Sequence, residues 1–410
     1  MKLGRENKKR TSPALSSSAA DIRSRWMLVF GIICVAAALR APFTSVGPLL
    51  EMIRDDLGLS NTLAGAITTL PLLAFALLSP FAPRLARKLG LPNILVLAML
   101  TLSMGILVRS ASGTVTFFAG TAMIGLSIAV CNVLLPGLIK GKFPHRIGLM
   151  TGIYTVSMNI CAAAASGLSV PLATRAGLGW RGTLALWFMI AALATIFWIP
   201  QLKSLGAGQA GTASPSAARV WRSPLAWQVT LFMGLQSLLY YVLIAWFSVI
   251  LGERGMSAGH AGWILSLMQL AQLPFTFFVP LWVGRMKNQR LPVVITSVLF
   301  ITGILGVWLG STALMALWAI CIGIAGGFAF GLAMMFFSLR TRTTQEASEL
   351  SGMAQSAGYL LAAAGPALFG LLHDAAGSWN LPLALLVLAS VLLFAAGMGA
   401  GRDRYVGDRL

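Results

Sequence analysis

Charge is scarce in this chain. Only 10% of its 410 residues are Asp, Glu, Lys or Arg, against roughly 25% in soluble domains, and that excludes a water-soluble globular fold. Acid is scarcer still, with 11 Asp and Glu against 30 Lys and Arg. Cysteine and histidine are few, at four and three. Cys34, Cys131, Cys161 and Cys321 fall in apolar runs at spacings that suit neither a metal site nor a disulfide framework, so they read as small packing residues. His145, His260 and His373 lie at the ends of apolar runs and form no cluster with acid or thiol. No constellation of nucleophile, base or metal ligand is visible, so an enzyme is not expected, and neither is a cofactor or a metal. No nucleotide-binding motif is present, so ATP is not expected as an energy source.

What is abundant is apolar length. Hydrophobic residues make up 57% of the chain and the mean hydropathy is +0.83. A bilayer core of about 30 Å takes about 20 apolar residues per helix, and twelve such runs can be read: 26–50, 60–81, 92–108, 115–139, 147–174, 182–199, 226–251, 261–283, 292–310, 312–337, 350–372 and 381–398. The expected fold class is therefore an all-α polytopic membrane protein of twelve transmembrane helices. An even number of spans places both termini on one side. That side receives 24 of the 30 basic residues, whereas the other receives Arg54, Arg109, Arg175, Arg181 and Arg254. Positive charge accumulates in cytoplasmic loops, so both termini are expected in the cytoplasm of a cell with a bacterial inner (plasma) membrane. The net charge of +19 then marks membrane orientation, and no nucleic acid partner is expected.

Residues 1–25 are Ser-rich and basic without an apolar segment or cleavage site, which predicts a disordered cytoplasmic tail instead of a secretory signal. Residues 201–225 contain LGAGQAGTASPSAA and read as a flexible linker between residues 26–200 and 226–399, with 400–410 a second cytoplasmic tail. The two halves repeat each other weakly. Gly58-Leu59-Ser60 recurs as Gly255-Met256-Ser257 at an offset of 197, and Thr151-Gly152 recurs as Ser351-Gly352 at an offset of 200. Two six-helix bundles related in this way describe a carrier that rocks about a site at the membrane midplane.

Five segments carry a resemblance: LRAPFTSVGPLL from Leu39, TTLPLLAFALLSPFAPRLARKLG from Thr68, NVLLPGLIKGKFPH from Asn132, WRSPLAWQVTLF from Trp221 and SGMAQSAGYLLAAAGP from Ser351. The chain resembles a major facilitator superfamily transporter of the cyanate permease and 2-nitroimidazole transporter family. The resemblance implies two pseudo-symmetric six-helix bundles, alternating access, and cyanate-like anions or small nitro-heterocycles as substrates. The loop after the second span, PRLARKLG, is similar to the superfamily's cytoplasmic loop motif but lacks its acidic residue. It marks Arg84, Arg87 and Lys88 as a candidate gating loop.

One charge stands inside a span. Arg40 lies about 14 residues into the first run, ~21 Å along it at 1.5 Å per residue, where a charge costs at least ~2.5 kcal/mol. No Asp or Glu falls in the core of any span, so the guanidinium is read as the receptor for a small anion. Thr44, Asn132, Tyr154, Asn159, Gln236, Tyr240, Gln269, Gln355 and Tyr359 are the other candidate substrate contacts. Gln236 with Tyr240, and Gln355 with Tyr359, share helix faces at i and i+4. Gln272 belongs to the same polar set, and Tyr241 is expected to face away from Tyr240. Gly148 with Gly152, and Gly323 with Gly327 and Gly331, are helix-packing stripes. A monomer is expected, carrying a small molecule together with protons or against a counter-substrate. The alternative is proton-coupled efflux of neutral or cationic drugs, which would call for an acidic residue in the cavity.

Overall fold

The computed structural model describes residues 14–59, 61–200, 202 and 216–408. Most of the expected linker, and the first half of the N-terminal tail, lie outside them. Eleven helices are long and apolar enough to cross a membrane among the described residues. A twelfth span comes from the bent pair Thr69–Leu78 and Ala82–Leu89. In chain order the spans are Ala14–Thr44, Asn61–Leu78, Leu91–Ser110, Thr114–Lys142, Ile147–Thr174, the pair Gly179–Leu186 and Phe188–Trp198, Pro224–Glu253, Ala258–Val283, Arg290–Leu309, Met315–Leu339, Thr344–Ala376 and Asn380–Ala400. They are called spans 1 to 12 below.

Two boundaries differ from expectation. Span 1 is helical from Ala14, so residues 14–25 are not irregular. The run ALSSSAADIRSR is rich in good helix formers, and extends a helix already nucleated in the membrane. Span 2 stops at Leu78, and its axis turns by 57° into the short helix Ala82–Leu89. Pro80 sits at the bend, where it has no N–H to give and its ring blocks a straight continuation. The turned segment lays Arg84, Arg87 and Lys88 along the terminus-bearing face.

The spans form two bundles. Span 1 packs on spans 5 and 6, and span 3 on spans 4 and 6. Span 7 packs on spans 11 and 12, and span 9 on spans 10 and 12. Spans 2 and 11, and spans 5 and 8, join the bundles along two seams. The sequence repeat has a physical counterpart at these seams. A Cβ at Gly152 on span 5 would lie 2.9 Å from the Phe277 carbonyl of span 8, and one at Gly352 on span 11 would lie 2.7 Å from the Ser79 carbonyl beside span 2. Only glycine permits either approach. Gly58 and Gly255, the other repeated pair, both hold left-handed backbone at φ +60° and +87°, where an L side chain is strained. Gly323 and Gly327 bring span 10 against Met268, Gln272 and Phe275 of span 8.

Span 11 begins with a reciprocal cap. The Thr343 hydroxyl accepts from the Glu346 N–H at 3.1 Å, while the Glu346 carboxylate accepts from the backbone of Thr343 and Arg342. The C-terminal segment folds back onto this corner. Val406, 1% exposed, donates its N–H to the Arg340 carbonyl at 2.8 Å, and Asp408 pairs with Arg342 at 2.9 Å. Burial under this segment pushes the Arg340 guanidinium down to about 10, which leaves it charged at neutral pH.

Candidate functional site

Between the bundles lies a small cavity lined by Arg40, Asn159, Gln236, Ser237, Tyr240, Tyr241, Gln272, Phe330 and Tyr359. Spans 1, 5, 7, 8, 10 and 11 each contribute at least one of these side chains. Arg40 is the only charge in the lining among the described residues. Its guanidinium stands 5.8 Å from the centre of the Phe330 ring, a cation–π contact across the two bundles. Phe75 and Tyr359 meet across the other seam with ring centres 5.2 Å apart. The Asn159 amide nitrogen is buried without a hydrogen-bond partner among the described residues, so it is a free donor at the cavity wall. Gln236 gives its amide to the Ser237 hydroxyl at 2.7 Å. The chamber thus combines one fixed cation, amide and hydroxyl groups and an aromatic face, a set that can bind a small anion or a polar planar molecule.

The candidates read from the sequence divide into three groups. Arg40, Asn159, Gln236, Tyr240 and Tyr359 line the cavity. Asn132, Tyr154 and Gln355 meet one another at the seam between spans 4, 5 and 11. There the Tyr154 hydroxyl donates to the Asn132 side chain at 2.8 Å, and the Gln355 amide donates to the Asn132 carbonyl at 3.0 Å and to Ser351 at 2.8 Å. Thr44 and Gln269 are absent from the lining. The Thr44 hydroxyl lies 3.1 Å from the carbonyls of Arg40 and Ala162, tying span 1 to span 5, and Gln269, one turn from Gln272, is exposed.

Tyr241 corrects the sequence reading, since it lines the same cavity as Tyr240. Consecutive residues on a helix point about 100° apart, yet both rings border the cavity and meet edge to face at 5.3 Å. A second correction concerns Arg109. It falls within span 3 and is 1% exposed instead of standing in an outer loop. Hydropathy could not place it, because a single arginine at the end of an apolar run scores the same whether it turns out or in.

The gating candidates sit at the terminus-bearing end of the seams. Arg87 pairs with Glu349 of span 11 at 2.6 Å, so the missing acid of the loop motif is supplied from the opposite bundle. Arg84 lies over the Phe81 ring at 5.8 Å, and Lys88 is exposed. Lys140 of span 4 donates to the carbonyl of Ser338 and the hydroxyl of Thr341, each at 2.8 Å, and to the Thr341 carbonyl. Ser338 returns a bond to the Pro136 carbonyl at 3.3 Å. Deeper in, Thr155 bonds the Thr276 carbonyl at 2.7 Å and Ser356 the Ala76 carbonyl at 2.6 Å. These cross-bundle bonds extend from the terminus-bearing face up to the level of the cavity.

A polar chamber at mid-membrane, between two bundles of repeated sequence closed against each other at one end, defines a carrier. The chain belongs to the Major Facilitator Superfamily, whose sequence profile matches residues 28–366. It is 48% identical over 386 residues to the uncharacterized transporter YycB of Bacillus subtilis (strain 168), covering 94% of this chain and 96% of that protein. It is 41% identical over 391 residues to a 2-nitroimidazole transporter of Escherichia coli (strain K12), covering 95% and 99%. With the cyanate transport protein CynX of the same organism it shares 26% over 363 residues, covering 88% and 93%. Among solved structures, the proton:xylose symporter XylE superposes with a TM-score of 0.74 at 12% identity, covering 94% of this chain and 98% of that one. The protein is a multi-pass membrane transporter of small molecules, and its family is not one of enzymes.

Proposed function

We propose that this protein carries a small planar anion, or a compact polar heteroaromatic of nitroimidazole type, across the bacterial plasma membrane by alternating access, with Arg40 as the recognising charge. The observation that carries this reading is a guanidinium in a cavity whose lining, among the described residues, contains no carboxylate. Carboxylate, nitro and cyanate groups all offer oxygen to a planar fork of donors, and two of the relatives named above handle a nitroimidazole and cyanate. The adjoining Phe330 and Tyr rings suit a flat substrate. Alternative use as a proton-coupled drug efflux pump has no acidic cavity residue to support it.

With the termini in the cytoplasm, as the loop charges favour, the cross-bundle bonds close the cytoplasmic side and the state is outward-facing. Bringing one anion in against an inside-negative potential costs ~2.3 kcal/mol per 100 mV. Import therefore needs a co-transported proton or an exchanged anion, whereas export runs with the potential. The test is binding and uptake in proteoliposomes, comparing cyanate and benzoate with 2-nitroimidazole on wild type, Arg40→Lys and Arg40→Ala. Sharp loss in both variants, with membrane expression intact, supports the assignment. Wild-type transport by Arg40→Lys would remove it, and retention of neutral compounds alone would favour efflux.

A further inference from the structure

Span 1 ends one turn beyond Arg40, and that turn is short of backbone hydrogen bonds. Pro42 has no N–H to return to the Ala38 carbonyl. The Pro42 carbonyl is passed over by the backbone in its turn, because the N–H of Val46 bonds to Phe43 at 3.4 Å and that of Ser45 to Ala41 at 3.1 Å, and within span 1 it receives only the long bond of the Ser45 hydroxyl at 3.4 Å. Arg109 of span 3 fills this gap, donating Nη1 to the Pro42 carbonyl at 2.6 Å. Its Nε and Nη2 atoms find no acceptor among the described residues. A buried guanidinium with a single bond is a poor stabiliser, since desolvating a charge costs several kcal/mol that one bond does not recover. Its position accounts for it better than its energetics do.

The other bundle supplies a contrast. Arg254, at the end of span 7, also caps a helix end, giving its donors to the carbonyls of Val307, Trp308 at 2.9 Å and Gly310 at 3.2 Å on span 9. Spans 1 and 3 correspond to spans 7 and 9, so each bundle ties the same two helix ends with one arginine, but donor and receiver are exchanged. Arg254 makes three such bonds and holds a span end that carries no charge into the cavity. Arg109 uses one donor and holds the turn that carries Arg40.

We propose that Arg109 is a positioning residue, which fixes the last turn of span 1 and thereby the aim of Arg40 into the cavity. This rests on the reading of Arg40 as the substrate-recognising charge, and two readouts separate the two ideas. The first needs no substrate. In a background with the four native cysteines replaced, an Arg40→Cys thiol is labelled from outside with a small methanethiosulfonate. Adding Arg109→Gln is expected to change the labelling rate several-fold, and Arg254→Gln to leave it unchanged. The second is uptake of radiolabelled cyanate with Arg40 in place. A misplacement of about 1 Å at a recognition group can cost up to a hundredfold, so Arg109→Gln is expected to raise KM about tenfold with Vmax per folded molecule nearly constant. Arg109→Lys, which keeps a donor and is the milder change should Arg109→Gln not fold, is expected to fall between. Pro42→Ala restores an N–H to the turn and is expected to bring the KM of Arg109→Gln back towards wild type. Unchanged labelling and KM with only a lower melting temperature would make Arg109 a structural cap and overturn the proposal. So would an equal KM effect from Arg254→Gln. Labelling that responds to Arg109→Gln while transport ignores Arg40→Gln would keep the geometric link and overturn the reading of the site.

Discussion

Replacing Lys140 by Met tests how the terminus-bearing face is held shut. The ammonium spends all three of its donors on span 10 and the loop that follows it: the Ser338 carbonyl, the Thr341 hydroxyl and the Thr341 carbonyl. Methionine keeps much of the apolar stem and removes every donor. A hydrogen bond from a charged group contributes a net of about 1.5–3 kcal/mol. The three are not independent, because water serves the same ammonium once the bundles part, so about 2–3 kcal/mol is a fair figure for the whole group. At about 1.4 kcal/mol per factor of ten, the balance between the closed and open states of the terminus-bearing face should move by roughly 30- to 150-fold. The assay is a spin-label distance between the exposed positions His145 and Lys287, which flank the seam of spans 5 and 8. Wild type should give one short distance. Lys140→Met should add a longer one, or replace the first. An unchanged distance distribution in a folded Lys140→Met protein would refute the idea that these bonds set the state.

The Arg87 and Glu349 pair should behave as a unit: Glu349→Gln or Arg87→Gln alone is expected to slow uptake at least several-fold, while the swap Arg87→Glu with Glu349→Arg recovers part of it. Failure of the swap to exceed either single charge reversal would mean the pair is incidental. At the cavity wall, Gln272→Ala should weaken substrate binding by about tenfold, the cost of one hydrogen bond of roughly 1–1.5 kcal/mol, and Gln269→Ala should leave it unchanged. Thermal-shift titrations of both variants with cyanate and 2-nitroimidazole would show the contrast or its absence.

Hydropathy alone determined the number of spans and came within a few residues of most of their ends, because the cost of placing a charge in hydrocarbon is local and large. It also marked Arg40 as the residue out of place. Pro80 could be seen in the sequence, but not that the chain would turn there by 57° and lay Arg84 and Arg87 along the face. The glycine repeats were legible as packing stripes, and their offset correctly paired the halves. Which stripe crosses a seam between bundles and which lies inside one bundle is decided by the neighbours. The same holds at the site. A glutamine at position 269 and one at 272 are equal on a helical wheel to within about 60° at 3.6 residues per turn, yet only the second lines the cavity. Tyr241 lines it beside Tyr240, although the two sit on adjacent faces of span 7. Arg109 turns inward because span 1 left a carbonyl without a backbone partner two residues beyond Arg40. Apolar length is a property of one segment, and so the sequence by itself determined a membrane carrier and singled out Arg40 as a charge deep inside a span. Facing, closeness and the pairing of leftover hydrogen-bonding groups are properties of two segments at once, and only the tertiary structure decided them.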